Sequence, residues 1–228
     1  MTAERYLGNL GAFIETELNT VKDSSAGIVG CGGLGGYVCN ALARFGVGNL
    51  TLIDGDVFTE SNLNRQLFAA AKSIGKNKAL TSKELIGKIN ADINVAAHET
   101  MLSEENAAEL LFGCDLAVDC LDNIPARRIL ARVCAELGIP LIHGAISGLF
   151  GQVACLYPGD RLFDYIYNPD IEGASVSLGN PVFTPQLVAA LQACEAVKVL
   201  CGRSSSLRNR VLYIDLNHYS FEIIKFEG

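Results

Sequence analysis

Residues 27–36 read Gly-Ile-Val-Gly-Cys-Gly-Gly-Leu-Gly-Gly, a short apolar run that breaks into glycines ahead of a helical pattern. Gly30, Gly32 and Gly35 satisfy G-x-G-x-x-G, the signature of a strand–turn–helix cradle for phosphate. The first glycine permits the tight turn, and the second lets the backbone approach a phosphate. The third lets the helix pack close to the strand. The next strand, Asn49-Leu-Thr-Leu-Ile-Asp54, ends in a carboxylate about 20 residues on, where this fold places a group for ribose hydroxyls. The stretch predicts an α/β, Rossmann-like fold with a nucleotide at the turn. It does not choose the nucleotide, because dehydrogenases use the same fingerprint.

Outward from that turn, strands alternate with helices. Strands are expected over 26–30, 50–54, 93–98, 116–120 and 140–144, and helices over 34–45, 76–89, 104–112 and 125–137. The alternation predicts a mostly parallel sheet with right-handed crossovers, flanked by helices. A helical segment is expected over 3–20. After Gly151 the pattern changes to a strand over 152–157, an irregular stretch over 160–185 rich in Gly, Pro, Asn and Asp, and a helix over 186–200. Two strands over 210–216 and 219–226, around Asn217-His218, complete an antiparallel C-terminal extension. The apolar stripe Leu187, Ala190, Leu191 and Cys194 is read as the core face of the 186–200 helix. The whole chain, 1–228, reads as a single domain with a core over 26–157, a crossover loop over 158–185 and a C-terminal helix and strands over 186–228.

Composition narrows the class. A chain of 228 residues buries about 70% of its unfolded surface and needs no metal or disulfide to fold. The net charge of −7 without a basic tract argues against a nucleic-acid surface. No apolar run reaches membrane-spanning length, and 1–23 lacks the apolar region of a signal peptide, so a cytoplasmic protein is expected. The cysteines at 31, 39, 114, 120, 134, 155, 194 and 201 form no C-x-x-C pair and lie mostly in apolar stretches, as small hydrophobes do.

Three further features carry chemistry. The loop Asp56-Val-Phe-Thr-Glu-Ser-Asn-Leu-Asn-Arg-Gln66 is longer and more polar than a strand-to-helix connection requires, and Arg65 can grip phosphate oxygens bidentately. Lys78, in Gly75-Lys-Asn-Lys78, is a point charge suited to a triphosphate. Asp119-Cys-Leu-Asp122-Asn123 closes the fourth strand, at the crest where α/β sheets bind ligands. A carboxylate there suits Mg2+ held jointly with phosphate oxygens. Each has a plainer alternative: Asn123 as a helix cap, Lys78 as a solvated helix residue, Arg65 as a surface ion-pair partner. Their joint order on successive strand ends favours the site. His143, closing the fifth strand, either faces the site or caps the strand.

These residues resemble the ThiF/MoeB/HesA family, relatives of ubiquitin-activating enzymes. The resemblance rests on the glycine turn, Gly-Val-Gly-Asn-Leu-Thr-Leu-Ile-Asp54, Ser61-Asn-Leu-Asn-Arg-Gln66, Lys78, Cys120-Leu-Asp-Asn123 and Gly151-Gln152. It implies an adenylyltransferase that uses ATP and Mg2+ to activate the C-terminal glycine carboxylate of a ubiquitin-like sulfur-carrier protein, working as a homodimer. Under it Gly30, Gly32 and Gly33 approach the nucleotide and Asp54 meets the ribose. Ser61 and Asn62 join Arg65 and Lys78 around the phosphates, Asp122 holds the metal, and Asn123 sits beside it.

The sequence departs from the family in three places. It lacks the paired C-x-x-C motifs that hold zinc in many relatives, so no zinc is expected. No cysteine occurs over 157–192, which favours simple adenylation over a covalent carrier intermediate. The N-terminal Arg5-Tyr6-Leu7-Gly8-Asn9 has Gly8 and Asn9 where relatives often carry Arg-Gln, which leaves Arg5 as a substitute. The alternatives kept open are an NAD-dependent oxidoreductase, an enzyme that adenylates a small carboxylate, and a non-catalytic subunit of an activating-enzyme dimer.

Overall fold

The structure, a computed structural model, describes residues 2–167 and 178–226. Its frame is one eight-stranded sheet in the order β3-β2-β1-β4-β5-β6-β7-β8. The strands are β1 (Ser25–Val29), β2 (Asn49–Ile53), β3 (Asn94–His98), β4 (Leu116–Asp119), β5 (Leu141–Ser147), β6 (Phe150–Leu156), β7 (Arg210–Asp215) and β8 (Ser220–Lys225). Pairings among the first five are parallel, and those from β5 to β8 are antiparallel. The expected parallel sheet with an antiparallel extension is what forms.

Helices α2 (Gly35–Phe45), α3 (Lys78–Ile89) and α7 (Phe183–Leu200) pack on one face, and α4 (Ala107–Leu111), α5 (Ile124–Leu137) and α6 (Leu162–Ile166) on the other. Alternation along the strands divides the core between them. Ile28 joins Val38, Leu42 and Val188 on one side, while Val29, next in chain, joins Leu111, Leu130 and Val133 on the other. Two buried faces explain why these strands read as continuous apolar runs.

Several boundaries differ from expectation. The N-terminal helical segment is broken: a 3-10 turn spans Glu4–Asn9, and α1 runs Glu15–Asp23. Between them Gly11 adopts φ +97°, a conformation that a continuous helix does not admit. β5 runs on to Ser147 and turns directly into β6, with Ser147 opposite Phe150 and Gly148 at φ +59°. A glycine at the first loop position of a two-residue hairpin supplies this geometry. α7 starts a turn earlier than expected because Pro185 sits within its first turn, where the missing N–H costs nothing. The stripe assigned to its core is offset: Val188, Ala189, Gln192, Ala193, Glu195 and Ala196 are buried, whereas Ala190 and Cys194 are exposed. Leu187 and Leu191 of the expected stripe do pack against the core, half-buried; because the helix is apolar nearly all round and two polar residues occupy its inner face, periodicity placed the stripe's centre to one side. The irregular stretch expected over 160–185 contains α6, and its part over 168–177 lies outside the described residues.

Candidate functional site

β1 and β4 are neighbours although β2 and β3 separate them in sequence, and the crossovers depart to opposite sides of that pair. This is the topological switch point, where the carboxyl ends of the strands leave a crevice. Gly30 makes the turn out of β1 with φ +92°, and its N–H donates to the Ile53 carbonyl at 2.8 Å. A Cβ on Gly35 would lie 1.8 Å from the Gly30 carbonyl oxygen, so α2 reaches the turn only because that residue has no side chain. Above Gly33 the nearest obstacle to a Cβ is Pro185 at 3.9 Å, which leaves the backbone open to the crevice.

A cavity of about 260 Å³ occupies the crevice. Of the residues singled out in the sequence, Gly30, Gly32, Gly33, Asp54, Arg65, Lys78, Asp122 and Asn123 line it. Ser61 and Asn62 do not. Asn62 is buried, and its side-chain oxygen accepts from the Thr59 N–H at 3.1 Å; Ser61 Oγ lies 2.9 Å from Thr59 Oγ1. Both shape the loop that carries Arg65 rather than the cavity wall.

Asp54 leaves β2 with both carboxylate oxygens engaged, by the Cys31 N–H at 2.7 Å and the Asp56 N–H at 2.9 Å. Burial nonetheless raises its pKa above the ordinary carboxylate value. Lys78 opens α3, which Asn77 caps by accepting from the Leu80 N–H at 3.0 Å. Its ammonium donates to Asp56 Oδ2 at 2.9 Å. Arg65 donates to the Ser61 carbonyl at 3.0 Å and to Asn64 Oδ1 at 2.9 Å. Asn123 does cap α5, accepting from the Ala126 N–H at 3.0 Å, while the adjoining Asp122 is exposed and accepts only from Asn123 Nδ2, at 3.3 Å, among the hydrogen bonds described.

Four contributors were given no individual site role by the sequence reading, which left His143 open between facing the site and capping its strand. Asp56 and Arg127 line the cavity, the first as the counter-charge of Lys78. Gln66 also lines it, and its Oε1 is buried without a hydrogen-bond partner among the described residues. Such an atom costs free energy unless a ligand or water donates to it. The fourth is His143, fully buried behind the wall with Nδ1 2.7 Å from Asp119 Oδ2. The signal for Arg127 was its spacing of four from the cap Asn123, which puts both on one side of α5. Arg5 is engaged within its own chain, donating to Asn90 Oδ1 at 2.5 Å and pairing with Asp92 at 3.3 Å.

The wall fits a nucleoside triphosphate. It offers open glycine backbone, an unsatisfied acceptor, Arg65 and Lys78 for phosphate oxygens, and Asp54 for a ribose. Asp122 fits Mg2+, which takes one or two carboxylates together with phosphates and water. Among the described residues no three His, Cys, Asp or Glu side chains gather as a metal-holding group, and no helix is long and apolar enough to cross a membrane.

Comparison with known proteins converges on one family. The ThiF family model matches residues 4–228. The SAMP-activating enzyme E1 of Haloferax volcanii is 34% identical over 203 residues, covering 87% of this chain and 75% of that protein. The sulfur carrier protein adenylyltransferase of Thermus thermophilus is 34% identical over 220 residues, covering 88% and 78%. Against relatives named adenylyltransferase and sulfurtransferase MOCS3, the chain spans about half of their length, 49% in the Culex quinquefasciatus protein. The crystal structure of E. coli MccB with succinimide superposes with a TM-score of 0.81 at 22% identity, covering 98% of this chain and 72% of that one, a likeness of fold. The glycine turn, the Arg-Gln loop and the Asp-Asn crest therefore belong to a member of the ThiF family.

Proposed function

We propose that this protein adenylates the C-terminal glycine carboxylate of a ubiquitin-like sulfur-carrier protein, using Mg-ATP and releasing pyrophosphate, in thiamine, molybdopterin or a related sulfur-transfer pathway. The observation that carries the reading is the gathering of the glycine turn, Arg65, Lys78 and Asp122 around one cavity at the switch point. An oxidoreductase has use for the turn and for Asp54, but not for two cations and an exposed carboxylate at phosphate range.

ATP supplies the electrophilic phosphorus and its pyrophosphate leaving group, and Mg2+ neutralises the charge that builds on them. The chain's part is positional and electrostatic. Asp54, held by two backbone N–H groups, fixes the ribose end. Gly32 and Gly33 bring backbone close to the phosphates. Arg65 and Lys78 stabilise the departing pyrophosphate, and Asp122 holds the metal. The carboxylate nucleophile is already ionised at neutral pH, so no protein base is required. Rate then comes from alignment and charge stabilisation. The name of the Thermus relative supports the carrier as substrate. A homodimer and a cytoplasmic setting complete the proposal.

The test is pyrophosphate exchange into ATP by the purified protein, with and without a ubiquitin-like carrier ending in Gly-Gly. Carrier-dependent exchange is expected. Thermal stabilisation by NAD but not by Mg-ATP would contradict the reading.

A further inference from the structure

Asp122 stands on the short turn between β4 and α5, and the residues on either side of it are held from below. The Leu121 N–H donates to Asp119 Oδ1 at 3.0 Å, and the Leu121 carbonyl accepts from the Arg127 guanidinium. On the other side Asn123 is fixed by its cap on α5. Arg127 and Asp119 are almost fully buried, with the guanidinium Nε 3.9 Å from Asp119 Oδ2. Arg127 also donates to the Tyr167 hydroxyl, which lies 3.3 Å from His143 Nε2. His143 Nδ1 returns to Asp119 Oδ2 at 2.7 Å. These contacts close a ring behind the cavity wall.

The ring assigns its own protons. The Asp119 carboxylate needs a donor, so His143 carries its proton on Nδ1 and accepts on Nε2. The single lone pair of that nitrogen is shared between the Tyr167 hydroxyl and the Gln152 amide, whose Nε2 is 3.0 Å away and also donates to the hydroxyl at 3.4 Å. The hydroxyl accepts from Arg127 while donating to His143. A buried charge pair is tolerable only when its remaining hydrogen-bonding capacity is satisfied, and a network with one member missing is worse than none. Asp122 itself has little to orient it, being exposed with one side-chain hydrogen bond among the described residues.

We propose that His143 and Tyr167 are positioning residues: through Asp119 and Arg127 they fix the backbone of the turn and thereby the direction of the Asp122 carboxylate. The inference rests on the reading of Asp122 as the metal-holding residue. Mg2+ demands near-octahedral geometry, so a ligand on a fixed backbone binds it better than one on a wandering loop.

The experiment uses the full chain with a non-hydrolysable ATP analogue and follows Mn2+ binding by the loss of its free electron paramagnetic resonance signal. Tyr167→Phe, which deletes one hydroxyl, should weaken Mn2+ at least tenfold while leaving metal-free analogue affinity within twofold; the melting temperature should fall, because Arg127 and His143 each lose a partner, with folding still cooperative. His143→Asn keeps a donor at the Nδ1 position and should fall between Tyr167→Phe and the parent. Unchanged Mn2+ affinity in Tyr167→Phe, or in His143→Asn should the first variant not fold, overturns the proposal; so does equal weakening of the metal-free analogue. Asp122→Asn separates the two levels. If it binds Mn2+ normally, the underlying site reading fails and the proposal with it. If it is impaired while Tyr167→Phe is normal, the positioning role alone is lost.

Discussion

The Lys78 ammonium donates to Asp56 Oδ2 at 2.9 Å on the wall of the cavity, with the lysine side chain 11% exposed and the aspartate 57%. The lysine is thus largely taken out of water while its partner remains wet. On the proposed reading an incoming phosphate would meet a cation whose desolvation has already been met by folding and whose present partner is easily rehydrated.

Lys78→Ala is accordingly expected to weaken ATP by about 10- to 100-fold, from the ~1.5–3 kcal/mol of a hydrogen bond to a charged group. Adenosine should lose less than about twofold, since it offers no phosphate. Calorimetric titration with both ligands checks this, and equal losses would remove Lys78 from the phosphate site.

Gly35 has no room for a side chain, because a Cβ there meets the Gly30 carbonyl at 1.8 Å. Gly35→Ala must push α2 away from β1. Overpacking of this kind costs roughly 1–3 kcal/mol and sometimes more, and it also opens the turn that faces the cavity. Urea unfolding should show the lower midpoint, and nucleotide titration the weaker binding. A variant as stable as the parent would contradict the close approach.

Asp122 is exposed and contributes little packing. Asp122→Ala should leave stability within about 0.5 kcal/mol, as surface substitutions generally do. The extra thermal stabilisation that Mg2+ adds to ATP should disappear. Retention of that increment would take Asp122 out of the metal's coordination.

Burial holds the His143 imidazole below its ordinary pKa of 6.5, outweighing the opposite pull of Asp119. The native ring stays neutral while the unfolded chain takes up a proton as the pH falls through 6.5. The unfolded state then binds more protons, so stability drops with falling pH from that point down to the native pKa and is flat above it. Denaturant midpoints at pH 7.5 and 5.5, compared between the parent and His143→Asn, isolate the effect. The parent should lose more on acidification, and identical losses would refute the assignment.

Near-neighbour patterns made most of the fold legible. Glycine spacing announced the turn, and the alternation of apolar runs with helical periods announced the parallel part of the sheet, though not the order of its strands. Errors clustered where local signals were weak or ambiguous. The two-residue hairpin at Gly148 was hidden between glycines, and the uniformly apolar α7 offered no preferred face. At the candidate site, Gly30, Asp54 and Asp122, which enter the cavity beyond β1, β2 and β4, were named in advance, whereas Thr100, Met101 and Leu102 beyond β3 were not. Ser61 and Asn62, in the same motif as Arg65, sit beside the wall instead, because Asn62 satisfies the Thr59 N–H within its own loop.

The sequence alone determined which residue types stand at the ends of β1, β2 and β4, since turns, caps and strand periods depend on residues a few positions apart. Tertiary structure decided what those residues meet. Asp56 reaches Lys78 across 22 positions, His143 reaches Asp119 across 24, and Arg127 reaches Tyr167 across 40. Hydrogen bonds and ion pairs at such separations are chosen by the stacking of strands and helices, and no local pattern encodes them.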